Sequence, residues 1–179
     1  MSPAPVHFDA PRDGGVRLVT GLTYAILAAV AGGLAWAGWS LRAEHGNPVL
    51  AAVPLLFLVV PGLLLYAASL GAPRGYVVDD RAVRIERRAG PVTIPLADVA
   101  DARRIEPPAR FARIGGSGGF LGYFGEFRNP NLGPVRMYAS RGDGQVLLVT
   151  GGGRVVVTPA DPDAFVAEVR GRSPGRDGK

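Results

Sequence analysis

The stretch RIGGSGGFLGYFGEF, residues 113–127, sets glycines at 115, 116, 118, 119, 122 and 125 among Phe120, Tyr123, Phe124 and Phe127. Glycine-rich loops cradle phosphates when their backbone N–H groups converge, so nucleotide binding is the first chemistry to weigh. A phosphate loop ends in Gly-Lys-Ser/Thr, and the single lysine of this chain is Lys179. A dinucleotide fingerprint needs a third glycine opening a helix, where this chain has Leu121 and then YFGEFRNPNLGP. The pattern points away from a nucleotide site. His7 and His45 are the only histidines and there is no cysteine, so no Ser-His or Cys-His pair can form beyond residue 71. The usual zinc ligands are missing for the same reason. Asp79, Asp80, Asp98 and Asp101 are the nearest thing to a carboxylate cluster. The first pair falls in a hairpin turn and the second in or beside a strand, which reads as solvated turn chemistry more readily than as a divalent-cation site. The expectation is a chain with no catalytic residue, no cofactor and no metal.

Arginine is the other repeated chemistry. The chain carries nineteen arginines and a net charge of +5, and from Gly71 onward 17 basic residues face 12 acidic ones. Arg81, Arg84, Arg87, Arg88, Arg103, Arg104, Arg110 and Arg113 fall in that region. Beside an anionic leaflet each basic residue near the surface is worth about 1 kcal/mol. Nucleic acid would use the same charge, but neither a recognition helix nor exposed strand aromatics paired with basic residues can be identified.

These residues need elements to position them, and two apolar runs dominate. LVTGLTYAILAAVAGGLAWAGWS, residues 18–40, and VLAAVPLLFLVVPGLLLYAASL, residues 49–70, contain no charge. Each is long enough to cross a bilayer, which takes about 20 residues at about 1.5 Å rise apiece. Ala35-Trp36-Ala37 mimics a signal cleavage site, but the run exceeds the roughly 7–15 residues of a signal core. Only LRAEHGNP separates the runs, so residues 18–70 are predicted to form a transmembrane hairpin. The basic residues crowd its two ends: Arg12 and Arg17 before, and Arg74, Arg81, Arg84, Arg87 and Arg88 after, against Arg42 in the loop. That places both termini in the cytoplasm. Gly21, Ala25, Ala29 and Gly33 recur at four-residue intervals, a spacing that suits close packing of the two spans or a dimer contact. Pro54 and Pro61 predict kinks in the second span.

Beyond residue 71 the pattern changes to short β-branched runs bounded by turn residues. YVV, AVRIERR, VTI, VRMYAS, QVLLVT and RVVVT are separated by Asp79-Asp80, Ala89-Gly90-Pro91, Gly142-Asp143-Gly144 and Gly151-Gly152-Gly153. Strands this close imply an antiparallel sheet or small barrel of about seven strands. Asp161-Pro162 then opens a helix whose Pro162, Phe165, Val166 and Val169 form one apolar stripe, with Gly171 as its stop. Residues 1–17 read as a flexible leader and 173–179 as a disordered tail.

YVVDDRAVRIERRAG, VTIPLADVADARRI, GGSGGFLGYFGEF, VRMYAS and VVVTPADPDAFVAEV, in that order, resemble the bacterial pleckstrin-homology-like domains of small membrane proteins with two spans. The likeness covers roughly residues 76–170. It implies a membrane-anchored α+β protein: the helical hairpin, then a mostly-β PH-like barrel over 71–172 capped by one C-terminal helix, in the bacterial inner membrane. It names no settled activity.

Two readings of function follow. In one, a non-enzymatic module contacts anionic inner-leaflet lipid as a sensor or regulator through Arg84, Arg87, Arg88, Arg103, Arg104, Arg110 and Arg113, together with Phe120, Tyr123 and Phe124. In the other, the domain docks a partner protein or a second copy of itself. The aromatic rings, each bringing about 150–250 Å² of surface, must be covered by the barrel or its terminal helix, or by membrane or a second subunit.

Overall fold

A charge-free apolar run satisfies its backbone best as a helix, and α1 (Gly14–His45) is the result. The computed structural model describes residues 4–45 and 48–173. Asp13 caps α1: its Oδ1 accepts the Val16 N–H at 2.7 Å, while its Oδ2 accepts the Gly142 N–H at 2.7 Å and ties the helix start to the domain. α2 (Pro48–Gly71) runs continuously through Pro54 and Pro61 and lies against α1. Residues 46 and 47, in the expected outer loop, lie outside the described residues. Among the described residues one helix, Gly14–Glu44, is long and apolar enough to cross a membrane, and the described apolar part of α2, Val59–Gly71, is shorter.

The small-residue stripe does not mediate the helix contact. Gly21, Ala25, Ala29 and Gly33 are all exposed, and a Cβ on Gly21 or Gly33 would meet nothing. Thr20, Thr23, Leu27, Ala31, Leu34 and Gly38, spaced three and four apart, are among the covered positions of α1. Threonine and leucine on that face give α2 more to pack against than glycine does.

Among the described residues ten strands form two sheets. The first has the order β1 (Val6–Asp9), β2 (Pro73–Val78), β3 (Ala82–Arg87), β4 (Val92–Pro95). The second runs β5 (Val99–Arg104), β9 (Val146–Thr150), β10 (Gly153–Val157), β8 (Gly133–Ala139), β7 (Tyr123–Asn129), β6 (Ala112–Gly118). The leader is therefore not free: residues 6–9 pair antiparallel with β2, and Phe8 packs edge-on against Phe165 at 5.2 Å. Arg172 donates to the Ala4 carbonyl at 2.9 Å and fastens the segment further.

The sheets do not close into the expected barrel. Pro95 and a 3₁₀ turn at Leu96–Asp98 carry the chain from β4 to β5 without a shared ladder, leaving β4 an edge. Nor is the second sheet wholly antiparallel, since β8 and β10 run parallel. The connection at 140–145 steps over one strand position, and β10 then fills the slot beside β8. Gln145 holds this crossover, donating to Gly142 O at 2.8 Å and Ala109 O at 3.0 Å and accepting from Ala109 N at 2.8 Å.

Between the sheets lies the main core, Tyr76, Val78, Val83, Ile85, Leu96, Val146, Leu148 and Val157, closed at one end by Phe165 and Val169 of α3 (Pro162–Arg172). Asp161 accepts the Ala164 N–H at 2.9 Å, as an N-cap should. Gly171 lies inside α3; the stop is Ser173, whose N–H returns to Val169 O at 2.9 Å. Residues 174–179 lie outside the described residues. Tyr76 threads this core, donating to Tyr138 O at 2.6 Å and accepting from Thr158 N at 3.2 Å, and burial pushes its hydroxyl pKa up. Phe127, Val135, Met137, Leu147 and Val156 form a second core on the other face of the larger sheet.

Candidate functional site

The glycine-aromatic segment is a hairpin, β6 and β7, and not a loop. Gly116 and Gly125 are cross-strand partners with φ of 100° and 116°, and a Cβ on either would collide with the opposing backbone. The tip is fixed from within: Gly119 N donates to Gly122 O at 3.0 Å and Ser117 Oγ to Phe120 O at 2.7 Å. It is also fixed from outside, by the helices. Leu121 N donates to Thr20 Oγ1 on α1 at 3.0 Å, and Phe120 meets Tyr24 edge-on at 5.8 Å. Phe124 packs so closely on the end of α2 that a Cβ on Gly71 would sit 2.8 Å from its ring. Ala72, Leu121 and Phe124 form a buried cluster with Ala68, Phe120 and Tyr138 around it. Two of the N–H groups a phosphate cradle would present, those of Gly119 and Leu121, are thus spent on Gly122 and Thr20.

Beside this tip two adjoining cavities, of 530 Å³ and 810 Å³, open where the helices meet the domain. They share Arg12, Thr20, Tyr24 and Arg74; Arg88 lines one and Arg17 the other. Among the described residues no acidic side chain lines either cavity. Among the described residues none of these four guanidinium groups has an ion-pair or hydrogen-bond partner. On the helix side the wall combines Leu27, Leu65 and the Tyr66 ring with Thr20 and Ser69, whose hydroxyls are engaged with Leu121 N and Tyr66 O.

A family model described as "Bacterial PH domain" matches residues 74–173. The chain belongs to this family. No curated protein and no solved structure matches it. PH domains are interaction modules for lipids or proteins, and this bacterial PH domain spans β2 through the stop of α3. The leader strand and both helices stand outside the matched region.

The bacterial PH domain scatters the arginines singled out in its sequence. Arg84 pairs with Asp79 at 2.7 Å, Arg103 with Asp101 at 3.7 Å, and Arg104 with both Glu106 at 2.7 Å and Asp163 at 2.8 Å. Arg87 donates to Gly90 O at 3.1 Å and stacks over Tyr138, 5.6 Å from the ring centroid. Arg113 donates to Gly116 O at 3.3 Å, and Arg110 is exposed on the approach to β6. Only Arg88 of that set reaches the cavities. Of the aromatics, Phe124 is buried at the helix end, Phe120 half-buried against α1, and Tyr123 half-buried against the second core. The cavity arginines Arg12, Arg17 and Arg74 were visible in the sequence as flanks of the apolar runs. Nothing in their spacing says that they converge.

The aspartates serve structure. Asp79 accepts the Arg81 and Ala82 N–H groups, each at 2.8 Å, and these bonds with the Arg84 charge hold its carboxyl below the ordinary range. Asp101 bridges Arg103 and Arg170.

Proposed function

We propose that this chain is a non-enzymatic integral membrane protein of the bacterial inner membrane whose two helices both cross the bilayer, with both termini cytoplasmic. Its PH-like domain contacts anionic lipid of the inner leaflet as a sensor or regulatory module. The observation that carries this reading is the pairing of β1 with β2. The chain enters α1 from β1 and leaves α2 into β2, so both helix ends belong to one sheet. A strand pair joined by backbone hydrogen bonds does not straddle a bilayer; a crossing by α1 therefore requires a return by α2. Arg12, Arg17 and Arg74 give that side its basic excess, and Trp36 and Trp39, each 73% exposed, sit toward the far end of α1, where amphipathic rings favour the headgroup region.

Reporter fusions at Asn47 and at the C-terminus are expected in opposite compartments, and a C-terminal reporter outside the cell would sink the topology. For lipid contact, the full-length protein is placed in phosphatidylcholine nanodiscs with and without phosphatidylglycerol. Amide exchange should slow near Arg87–Arg88 and Arg110–Arg113 only in the anionic discs, and high salt should reverse it. Exchange indifferent to lipid charge would favour a second reading, docking of a protein partner or a second copy. That reading is favoured by the open edge of β4 and the 410 Å³ groove beside it, where Ile114 is 61% exposed.

A further inference from the structure

We infer that the paired cavities at the junction of α1, α2 and the hairpin tip form a binding site for a phosphate-bearing headgroup, that of one anionic phospholipid. The inference rests on the reading that both helices lie in a bilayer. Four arginines from three separate places, Arg12 and Arg17 around the start of α1, Arg74 in β2 and Arg88 after β3, turn toward one space. Arg84 and Arg104 have found acids within the domain, whereas among the described residues these four have none. Concentrating unneutralised guanidinium groups is unfavourable by mutual repulsion and becomes favourable when an anion enters. Guanidinium forks fit phosphate oxygens in pairs, and each cavity, at 530 Å³ and 810 Å³, falls in the range of small-ligand sites, about 300–1,000 Å³.

The walls choose between a lipid and a free anion. Arg12, Arg17, Arg74 and Arg88 make the side toward the domain cationic, while Leu27, Gly62, Leu65 and the rings of Tyr24 and Tyr66 continue from the same space along the helices. A small hydrated anion has no use for that second wall. A phospholipid uses both, with phosphate at the arginines and acyl chains along α1 and α2. Basic pockets between membrane helices on the cytoplasmic side suit anionic headgroups in this way. The adjacent contact of Leu121 N with Thr20 Oγ1 gives an occupant a route to the domain, because the cavity shares Thr20 and Leu121 with the hairpin tip.

The test uses the full-length protein in phosphatidylcholine nanodiscs, titrated with phosphatidylglycerol and followed by native mass spectrometry. Wild type should retain one phosphatidylglycerol per chain. The Arg12→Gln/Arg74→Gln variant should bind it about tenfold or more weakly, as loss of two basic residues near a leaflet predicts, and Arg12→Lys/Arg74→Lys should bind in between. Arg103→Gln/Arg104→Gln carries the same charge change on exposed, ion-paired positions and should bind as wild type does. Equal weakening in both Gln variants would mean diffuse charge attraction and overturn the site. Displacement of the lipid by millimolar inorganic phosphate would overturn the lipid assignment in favour of a free anion. Alkaline carbonate extraction of native membranes separates the two readings: release of the protein overturns membrane integration and the site together, whereas retention without a stoichiometric lipid overturns the site alone.

Discussion

Asp79 illustrates how single side chains earn their place in this protein. Its carboxylate accepts two backbone N–H groups and faces Arg84, all of which favour the ionised form. Its pKa is accordingly lowered from 3.8, chiefly by the Arg81 N–H. The folded state then holds its proton less tightly than the unfolded state, so this contribution to stability is complete above the ordinary carboxylate value and disappears as pH falls through the lowered one. Asp79→Asn should lower the melting temperature of the detergent-solubilised protein at pH 7 and narrow its difference from wild type in acid. Parallel melting curves from pH 7 down to pH 2 would show that the carboxylate charge contributes nothing. The turn at Asp79-Asp80 was legible because Asx chemistry is local. Which arginines are neutralised was not: Arg104 meets Asp163, 59 residues away, and only the tertiary fold brings them together.

At the scale of elements, the hairpin of β6 and β7 couples the bacterial PH domain to its helices. Gly71 permits the approach, since any side chain there would enter the space of the Phe124 ring. Gly71→Val should destabilise the protein by about 1–3 kcal/mol, the usual range for overpacking, and free the tip for chymotrypsin cleavage after Phe120. Phe124→Ala, which empties the same contact from the other side, should cost about 3–5 kcal/mol. Tip cleavage no faster in either variant than in wild type would mean that α2 does not hold the hairpin. Hairpins bounded by Asp79-Asp80, Ala89-Gly90 and Gly151-Gly152 could be read from the sequence because β-branched runs flank them. RIGGSGGFLGYFGEF could not, since glycine has poor strand propensity and its strand-forming geometry here depends on positive φ at paired positions. The four residues of β1 were equally opaque: VHFD sits among prolines, and its partner follows both helices.

For the whole molecule, β1 makes the domain discontinuous. A fragment beginning at residue 71 lacks the strand that covers β2 and the Phe8 ring that packs on Phe165. Deleting residues 4–9 from the full-length protein should therefore lower its melting temperature, with Phe8→Ala giving part of the effect and His7→Ala, at an exposed position, little. Identical melting with and without the strand would make β1 an ornament. The apolar runs made the order of helices before a mostly-β domain legible, because hydropathy and strand patterning are local properties of composition. The split domain was not, since a sheet assembled from both sides of a helical pair leaves no local trace.

The same discontinuity sets the timing of synthesis. The 63 residues from Ala10 to Ala72 separate β1 from its partner, a wait on the order of 3–13 s at translation rates of about 5–20 residues per second. In a chain that inserts as proposed, β1 is committed to one side of the membrane before β2 exists. Should α2 fail to return, the two strands would be stranded in different compartments and the first sheet could never assemble. In that proposed insertion, completion of the domain would act as a proofreading step: only a chain whose helices had both been delivered in the right sense could close its first sheet, and a misinserted chain would be left with an unpaired β2.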